Sequence, residues 1–332
     1  MSKPHLLITG ASGYLGTQLL LALTKNNNYE LTGLDIKNNS ELPKSIHFVK
    51  ADLSDVNLLS NTLNNVDLIC HCASLLDSES ITNDQYKVTN IKGTENLYQQ
   101  AKEKGVKKIV LTSSIAAISM KLWKENWPIN EDFVSKPDDD YGLSKNAQEV
   151  IARNFSNNND IQTLTLRPCT FFFLNDPERG FRLTGVHAMV EDIVNAHIAA
   201  IEVLLDEKKA SKLNGFEVIF VANKLPYQNA DKKLVGSDGK MRKLISKYWP
   251  NNAKFVFDLG YKKTFFPCVY DLSKAKRILN WEPSFNFDQW LIYCKKQNLH
   301  FQDIKKEYQL KRSWNFRLQK LFFKVKKKLK IK

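Results

Sequence analysis

The 332-residue chain has no uninterrupted apolar run of about 18 residues, the length a membrane-crossing helix needs, so no transmembrane span is expected. It is also poor in cysteine. The five present, Cys70, Cys72, Cys169, Cys268 and Cys294, are odd in number and lack zinc-site spacing; this excludes a small disulfide scaffold and suits reduced cytosolic thiols. Cys70 and Cys72 sit two apart on an expected strand and face the same way, which reads as core packing rather than a metal site. Glycine (13) and proline (10) are too few for a collagen-like chain, and 43% apolar residues exclude a disordered one. Met1-Ser2-Lys3-Pro4-His5 leads into a short apolar strand, not the apolar core of a secretory signal, so a cytoplasmic location is expected.

Acids are the other shortage. Asp and Glu number 35 against 49 Lys and Arg, a net charge of +14. The imbalance is local: between Lys305 and Lys332 twelve basic residues meet one acid, Glu307, so this stretch carries +11 and the first 304 residues only +3. The body is near neutral, and the basic character is a C-terminal appendage.

What is present is an alternation of strands and helices. Strands are expected at His5–Thr9, Glu30–Ile36, Ser45–Val49, Asp67–Ala73, Lys108–Thr112, Gln162–Leu166 and 216–221. Between and after them helical patterns run to about Lys25, over Asp55–Asn64, up to about Lys104, over Asp140–Phe155, and over 189–206, 238–248 and 286–297. The fold class is therefore α/β, a doubly wound parallel sheet covered on both faces, with a smaller C-terminal lobe.

Gly10-Ala11-Ser12-Gly13-Tyr14-Leu15-Gly16 joins the first strand to the first helix. A helix N-terminus there offers backbone N–H groups and its dipole to a pyrophosphate; the glycines allow the sharp turn and the close approach. Asp35, at the end of the second strand, suits the ribose hydroxyls and repels a 2′-phosphate, favouring NAD, while the nearby Lys37 keeps NADP open. Tyr141 and Lys145, four apart on a helix, share a face. An ammonium beside a phenol lowers its pKa and makes the pair a general acid/base. Ser114, just past the fifth strand, can orient a substrate oxygen, with Ser113 as a second hydroxyl.

Together Gly10-x-x-Gly13-x-x-Gly16, Ser113-Ser114 and Tyr141-x-x-x-Lys145 resemble the extended short-chain dehydrogenase/reductases, the NAD-dependent epimerase/dehydratase family. Ala51-Asp52-Leu53, His71-Cys72-Ala73, the Val88–Leu97 stretch with Asn90, Leu166-Arg167-Pro168, Glu191-Asp192 and Leu279–Pro283 are similar to further family signatures. The resemblance implies that Asp52 and Leu53 meet the adenine, Cys72 and Ala73 flank the cofactor, Asn90 helps hold the active-site water or lysine, and Pro168 abuts the nicotinamide. It also implies a Rossmann domain over residues 1–167, to whose sheet later segments return, a substrate lobe over 168–300 and a tail over 301–332. A homodimer is the assembly it suggests.

Departures narrow the reaction. Ile115-Ala116-Ala117 stands where family dehydratases carry an Asp-Glu pair, so a dehydratase is not expected. The short stretch before Glu191-Asp192 is closer to uronate dehydrogenases, and by that analogy Arg182 is a candidate clamp for a substrate carboxylate or phosphate. His187 reads as structural. The expected activity is oxidoreduction at a hydroxyl or carbonyl of a sugar derivative, a uronate or nucleotide-sugar. Alternatives are an epimerase that retains its NAD, a hydroxysteroid or flavonol-type alcohol dehydrogenase, suggested by Phe171-Phe172-Phe173, and a non-catalytic NAD-binding sensor or scaffold.

In the tail Leu310, Trp314, Leu318, Leu321, Phe322, Val325 and Leu329 recur at helical spacing against a basic remainder. Such a helix fits an anionic membrane surface. Packing on the chain's own body or on another subunit is the alternative, and nothing in the body continues the basic patch as a nucleic-acid site would.

Overall fold

The computed structural model describes residues 2–78, 80–159, 161–171, 176–261 and 267–296. The tail over 301–332, and Phe172 and Phe173 of the aromatic triplet, lie outside the described residues.

Seven strands form one all-parallel sheet in the order β3-β2-β1-β4-β5-β6-β7. They are β1 (His5–Thr9), β2 (Glu30–Asp35), β3 (His47–Lys50), β4 (Leu68–His71), β5 (Lys108–Thr112), β6 (Gln162–Pro168) and β7 (Phe216–Val221). The helices are α1 (Tyr14–Thr24), α2 (Val56–Thr62), α3 (Asn83–Tyr86), α4 (Gly93–Lys104), α5 (Asp140–Asn159), α6 (Asp176–Leu183), α7 (Val190–Leu205), α8 (Glu207–Ala210), α9 (Asp238–Tyr248), α10 (Pro250–Asp258), α11 (Ser273–Leu279) and α12 (Phe287–Lys296). One π-helical stretch, Lys87–Lys92, joins α3 to α4.

Period-two alternation sends β1 into two cores. Leu6 and Ile8 join the cluster that includes Leu15, Leu19, Ile193 and Ala200 of α1 and α7. Leu7 joins Leu59, Leu97 and Ala152 of α2, α4 and α5 on the opposite face. A sheet buried on both faces needs apolar residues at every strand position, which is why β1 reads as a continuous apolar run. Strand order reverses between β1 and β4, and Thr9 of β1 pairs with Leu34 of β2 on one side and with His71 of β4 on the other. The crevice past the carboxyl ends of the strands at such a point is where ligands bind in this architecture.

Beyond β6 the chain adds β7 to the edge of the sheet and packs α7 beside α1. Asp192 of α7 accepts hydrogen bonds from Ser284 N (2.8 Å) and Phe285 N (3.1 Å), and Trp281 Nε1 donates to the Asp192 carbonyl. These bonds tie the C-terminal segment to α7. The rest of the lobe is held by aromatic packing: Trp249 meets Phe287 at 4.7 Å between ring centroids, and Phe287 stacks on Trp290 at 5.4 Å.

Candidate active site

The turn between β1 and α1 is built by close approach. Gly10 has φ +71°, in the left-handed region, and a Cβ there would come within 2.7 Å of the Ala73 nitrogen. Only glycine meets both demands. Helix α1 has no side-chain cap and no acid in its first turn, leaving its N-terminus suited to an anion. Asp35 accepts from Ser12 N and Lys37 N, each at 3.0 Å, which fixes its carboxylate at the rim of the turn. Ala73 N donates to Thr9 Oγ1, holding the end of β4 against the glycine turn. The cradle that a Cβ would fill, the uncapped helix and the held carboxylate fit a dinucleotide. Tyr14 stands half-exposed beside it, stacked on Phe171 at 6.5 Å. Leu15 and Gly16 are buried under the turn, Asp52 is exposed at the rim, and Leu53 is buried against α4, where it faces Gly93. Pro168 ends β6, buried opposite Val221.

Helix α5 brings Tyr141 and Lys145 to the same crevice. Lys145 is buried, donates to the Thr112 carbonyl at 3.0 Å and lies 5.9 Å from the Tyr141 ring centroid. Burial lowers its pKa to about 8, partly opposed by Cys72 and Glu149. For Tyr141, burial pushes the phenol up, Asp77, Tyr86 and Asp139 push the same way, and the Ser114 hydroxyl favours the phenolate. The lowering expected of the pair relies on a positively charged nicotinamide as well as on Lys145, whose ammonium here donates to the Thr112 carbonyl. The chain holds Tyr141 protonated.

The two serines separate. Ser114 is half-buried, caps the Ile115–Ala117 turn by accepting from Ala116 N (3.1 Å), and stands next to Tyr141. Ser113 is buried and donates to Glu149 Oε1 at 2.6 Å. It is thus a structural residue and not a second substrate hydroxyl. Glu149 in turn holds Arg167 by two bonds, Nε–Oε1 at 2.8 Å and Nη2–Oε2 at 2.7 Å, with both side chains at most 5% exposed. Sequence reasoning missed this pair, since its partners lie on α5 and β6.

Asn90, at the π-helical stretch, is fully buried; its Oδ1 accepts from Leu75 N (2.7 Å) and its Nδ2 donates to Ser144 Oγ (2.9 Å). It braces α5 between Tyr141 and Lys145 rather than touching Lys145 itself. Behind it His71 bridges Thr9 Oγ1 (2.7 Å) and Thr94 Oγ1 (2.8 Å). Burial, with Lys145 nearby, lowers its pKa to about 3. Cys72 is half-buried and accepts from Thr112 Oγ1.

A pocket of about 60 Å³ starts at Ile115, the residue after Ser114, and is lined also by Ser119, Met120, Leu122, Trp123, Thr170, Val186, Cys268 and Tyr270. Behind the pocket's Thr170 stands His187, with Thr170 Oγ1 3.2 Å from His187 Nδ1. His187 is buried and held at about 3 by burial and by the charges of Arg182 and Arg179, which fits the structural role expected of it. Arg182 is thus placed near His187.

A doubly wound sheet, a glycine cradle at its switch point and a Ser/Tyr/Lys set past β5 define a dinucleotide-dependent oxidoreductase or epimerase. Comparison with known proteins gives the family: the model of the NAD dependent epimerase/dehydratase family matches residues 6–210, and the chain belongs to that family. NAD is accordingly its cofactor. Over 349 aligned residues the chain is 25% identical to the decarboxylating sterol-4-alpha-carboxylate 3-dehydrogenase of Candida albicans, covering 88% of this chain and 97% of that protein. It is 27% identical over 167 residues to a UDP-glucose 4-epimerase of Vibrio cholerae, 49% of this chain and 50% of that protein. The UDP-glucuronic acid 4-epimerase of Bacillus cereus, solved with NAD, has the same fold at TM-score 0.64 and 20% identity, covering 92% of this chain and 99% of that one.

Proposed function

We propose that the chain is an NAD-dependent dehydrogenase of a secondary alcohol carried on an apolar ring skeleton of the sterol type. The observation that carries this reading is the pocket of about 60 Å³ that starts at Ile115, the residue after Ser114: among the described residues its wall is mainly apolar (Ile115, Met120, Leu122, Trp123, Val186 and Tyr270), with Ser119, Thr170 and Cys268 and no Lys or Arg, and its size suits one apolar edge of a substrate. A nucleotide diphosphate calls for cationic partners, and among the described residues this wall has none. The sterol-4-alpha-carboxylate dehydrogenase matched along nearly its whole length supports it. This reading moves the expectation from a sugar derivative to the apolar alternative. An acidic sugar is the second reading, favoured by Arg179 and Arg182 on α6 near the pocket wall.

In either case Ser114 would orient the substrate oxygen, and Tyr141 Oη, once its own proton has passed to solvent, would take the hydroxyl proton. When bound, oxidised NAD supplies the hydride acceptor and a positive charge. That charge acts on Tyr141 in the direction its burial opposes, so proton removal is coupled to cofactor occupancy. Lys145, tethered to the Thr112 carbonyl, fixes the ammonium at the end of β5. The test is NADH formation with a panel of 3-hydroxysteroids and their 4-carboxylates against uronates and UDP-sugars. Turnover of the steroid set alone supports the first reading; turnover of the acidic sugars alone overturns it.

The tail is proposed to hold the chain at an anionic membrane surface, where an apolar substrate would partition. Its apolar stripe and +11 charge support this. Among the described residues no helix is long and apolar enough to cross a membrane. Flotation with anionic liposomes is expected for the full chain and not for one ending at residue 304; equal flotation of the two overturns it.

A further inference from the structure

Cys70 and Cys72 do not lie in the core alone. Both belong to the sheet face covered by α7, and with His197 of that helix they place two Sγ atoms and an imidazole nitrogen within 4.8 Å of one another. The two sulfurs are 3.7 Å apart. Two thiolates bound to one tetrahedral zinc, each at about 2.3 Å, stand about 3.8 Å apart, so this pair is already at ligating separation. The imidazole has at most about 1.2 Å to close, since sulfur and nitrogen on a shared zinc are about 3.6 Å apart.

The third ligand is also correctly presented. His197 Nδ1 lies 2.8 Å from the Ile193 carbonyl, which can only accept, so Nδ1 carries the proton and Nε2 keeps its lone pair. A backbone carbonyl on the far nitrogen is the support metal-bound histidines usually have. Nε2 faces the Thr112 hydroxyl at 2.9 Å, and the same hydroxyl is 3.3 Å from Cys72 Sγ. One hydroxyl proton thus serves two acceptors, at the point where a cation would satisfy both. Thr112 Oγ1 or a water would supply the fourth ligand.

We propose that Cys70, Cys72 and His197 form a binding site for one thiophilic divalent cation, zinc or its like, beneath the floor of the active site. Binding releases the two thiol protons to solvent, and two thiolates with a neutral imidazole balance the dication, so no net charge is buried. No redox step is involved. The chain spacing gives no zinc pattern because the third ligand arrives from a distant helix. Thr112 also holds Lys145 through its carbonyl, so occupancy is expected to disturb the catalytic lysine. That consequence rests on the proposed role of Lys145; the binding itself does not.

The experiment is a Co²⁺ titration of the full chain, freed of metal by chelator, read by absorbance. One equivalent is expected to raise thiolate-to-cobalt charge-transfer bands and the intense visible bands of a tetrahedral ion, both abolished by one equivalent of Zn²⁺. C70S/C72S is expected to lose the charge-transfer bands, and H197N to weaken binding at least tenfold. A band of full strength in C70S/C72S, traceable to Cys169, Cys268 or Cys294, overturns the proposal. If that variant does not fold, zinc-edge X-ray absorption of the wild-type chain decides. A shell of two sulfurs with nitrogen and oxygen is expected, and a shell of nitrogen and oxygen alone overturns the site.

Discussion

Gly10 lies in the turn between β1 and α1 and Gly180 lies on α6, and at each a Cβ would come closer than 3.0 Å to a neighbour. At Gly10 the neighbours are backbone atoms of Cys72 and Ala73, and the residue itself is left-handed. At Gly180, on α6, the neighbour is the indole of Trp290. The cofactor side is made by backbone against backbone, with a buried polar network behind it. The substrate side is made by side chains against one another, chiefly aromatic rings. Backbone contacts of the first kind constrain residue type sharply, whereas rings can repack. A region of the first kind suits one fixed ligand, and a region of the second kind can follow a changing one.

The largest effect that would sharpen this contrast falls on the chemistry itself. Tyr141→Phe removes the proton-transferring hydroxyl and keeps the ring, which touches Tyr86 at 6.2 Å and faces Lys145. A fall in kcat of about 10³-fold or more is expected, within the range for a positioned acid/base, with NAD affinity unchanged by calorimetry. Retained turnover would remove Tyr141 from the mechanism.

Next comes the polar network. Glu149→Ala leaves Arg167 buried without its carboxylate and deprives Ser113 of its acceptor. A loss of about 3–5 kcal/mol is expected, as for other broken buried pairs, read by urea denaturation. A loss below 1 kcal/mol would show that water reaches Arg167 and that the cofactor side is softer than its geometry implies.

Lys145 gives a pH signature on the same side. Its folded pKa, about 8, lies below the unfolded value of 10.5 because of burial. Between those values the unfolded chain binds more protons, so this residue makes stability rise with pH from about 8 to about 10.5, at about 1.4 kcal/mol per unit of separation. Below pH 8 the burial cost is present in full. Lys145→Met is expected to flatten that rise relative to wild type in denaturation at matched pH values. Parallel curves for the two proteins would mean that the ammonium is solvated in the folded chain.

Much of this was readable along the chain, and the limits have physical causes. β1, β5 and β7 fall at their expected bounds, because a doubly buried parallel strand is a bare apolar run that stops at glycine or polar residues. The glycine turn, Asp35, Ser114, Tyr141 and Lys145 all come to one crevice, as their placement after successive strands requires. The sequence pattern gives no helix over α6, α10 or α11, because short helices are stabilised by what they pack on and not by their own periodicity: Gly180 of α6 and Phe255 of α10 lie against Trp290, and α11 packs on α7 and β7. Glu149–Arg167 and the bridge from His71 to Thr94 were hidden for another reason. Each joins residues of ordinary type on separate elements, so no local pattern marks them. Ser113 and Ser114 are identical in type and adjacent, and only the sheet decides which faces the crevice.

The smallest effects separate the two glycines themselves. Gly10→Ala puts a methyl group into the Ala73 backbone and a side chain at φ +71°, and neither neighbour can rotate away. About 1–2 kcal/mol of strain is expected from the left-handed conformation, and the displaced turn no longer presents α1 to a pyrophosphate, so NAD affinity should fall at least tenfold. Gly180→Ala drives a methyl group into Trp290, a side chain that is fully buried. Overpacking of this kind costs about 1–3 kcal/mol, but the ring can shift, and NAD affinity should stay within twofold. Thermal denaturation and NAD titration of both variants give four numbers. If Gly180→Ala weakens NAD as much as Gly10→Ala does, the two sides are one mechanical unit and the distinction drawn between them fails. If stability falls in both and affinity in one, the cofactor side is fixed by backbone contact, and the aromatic side is free to set the substrate.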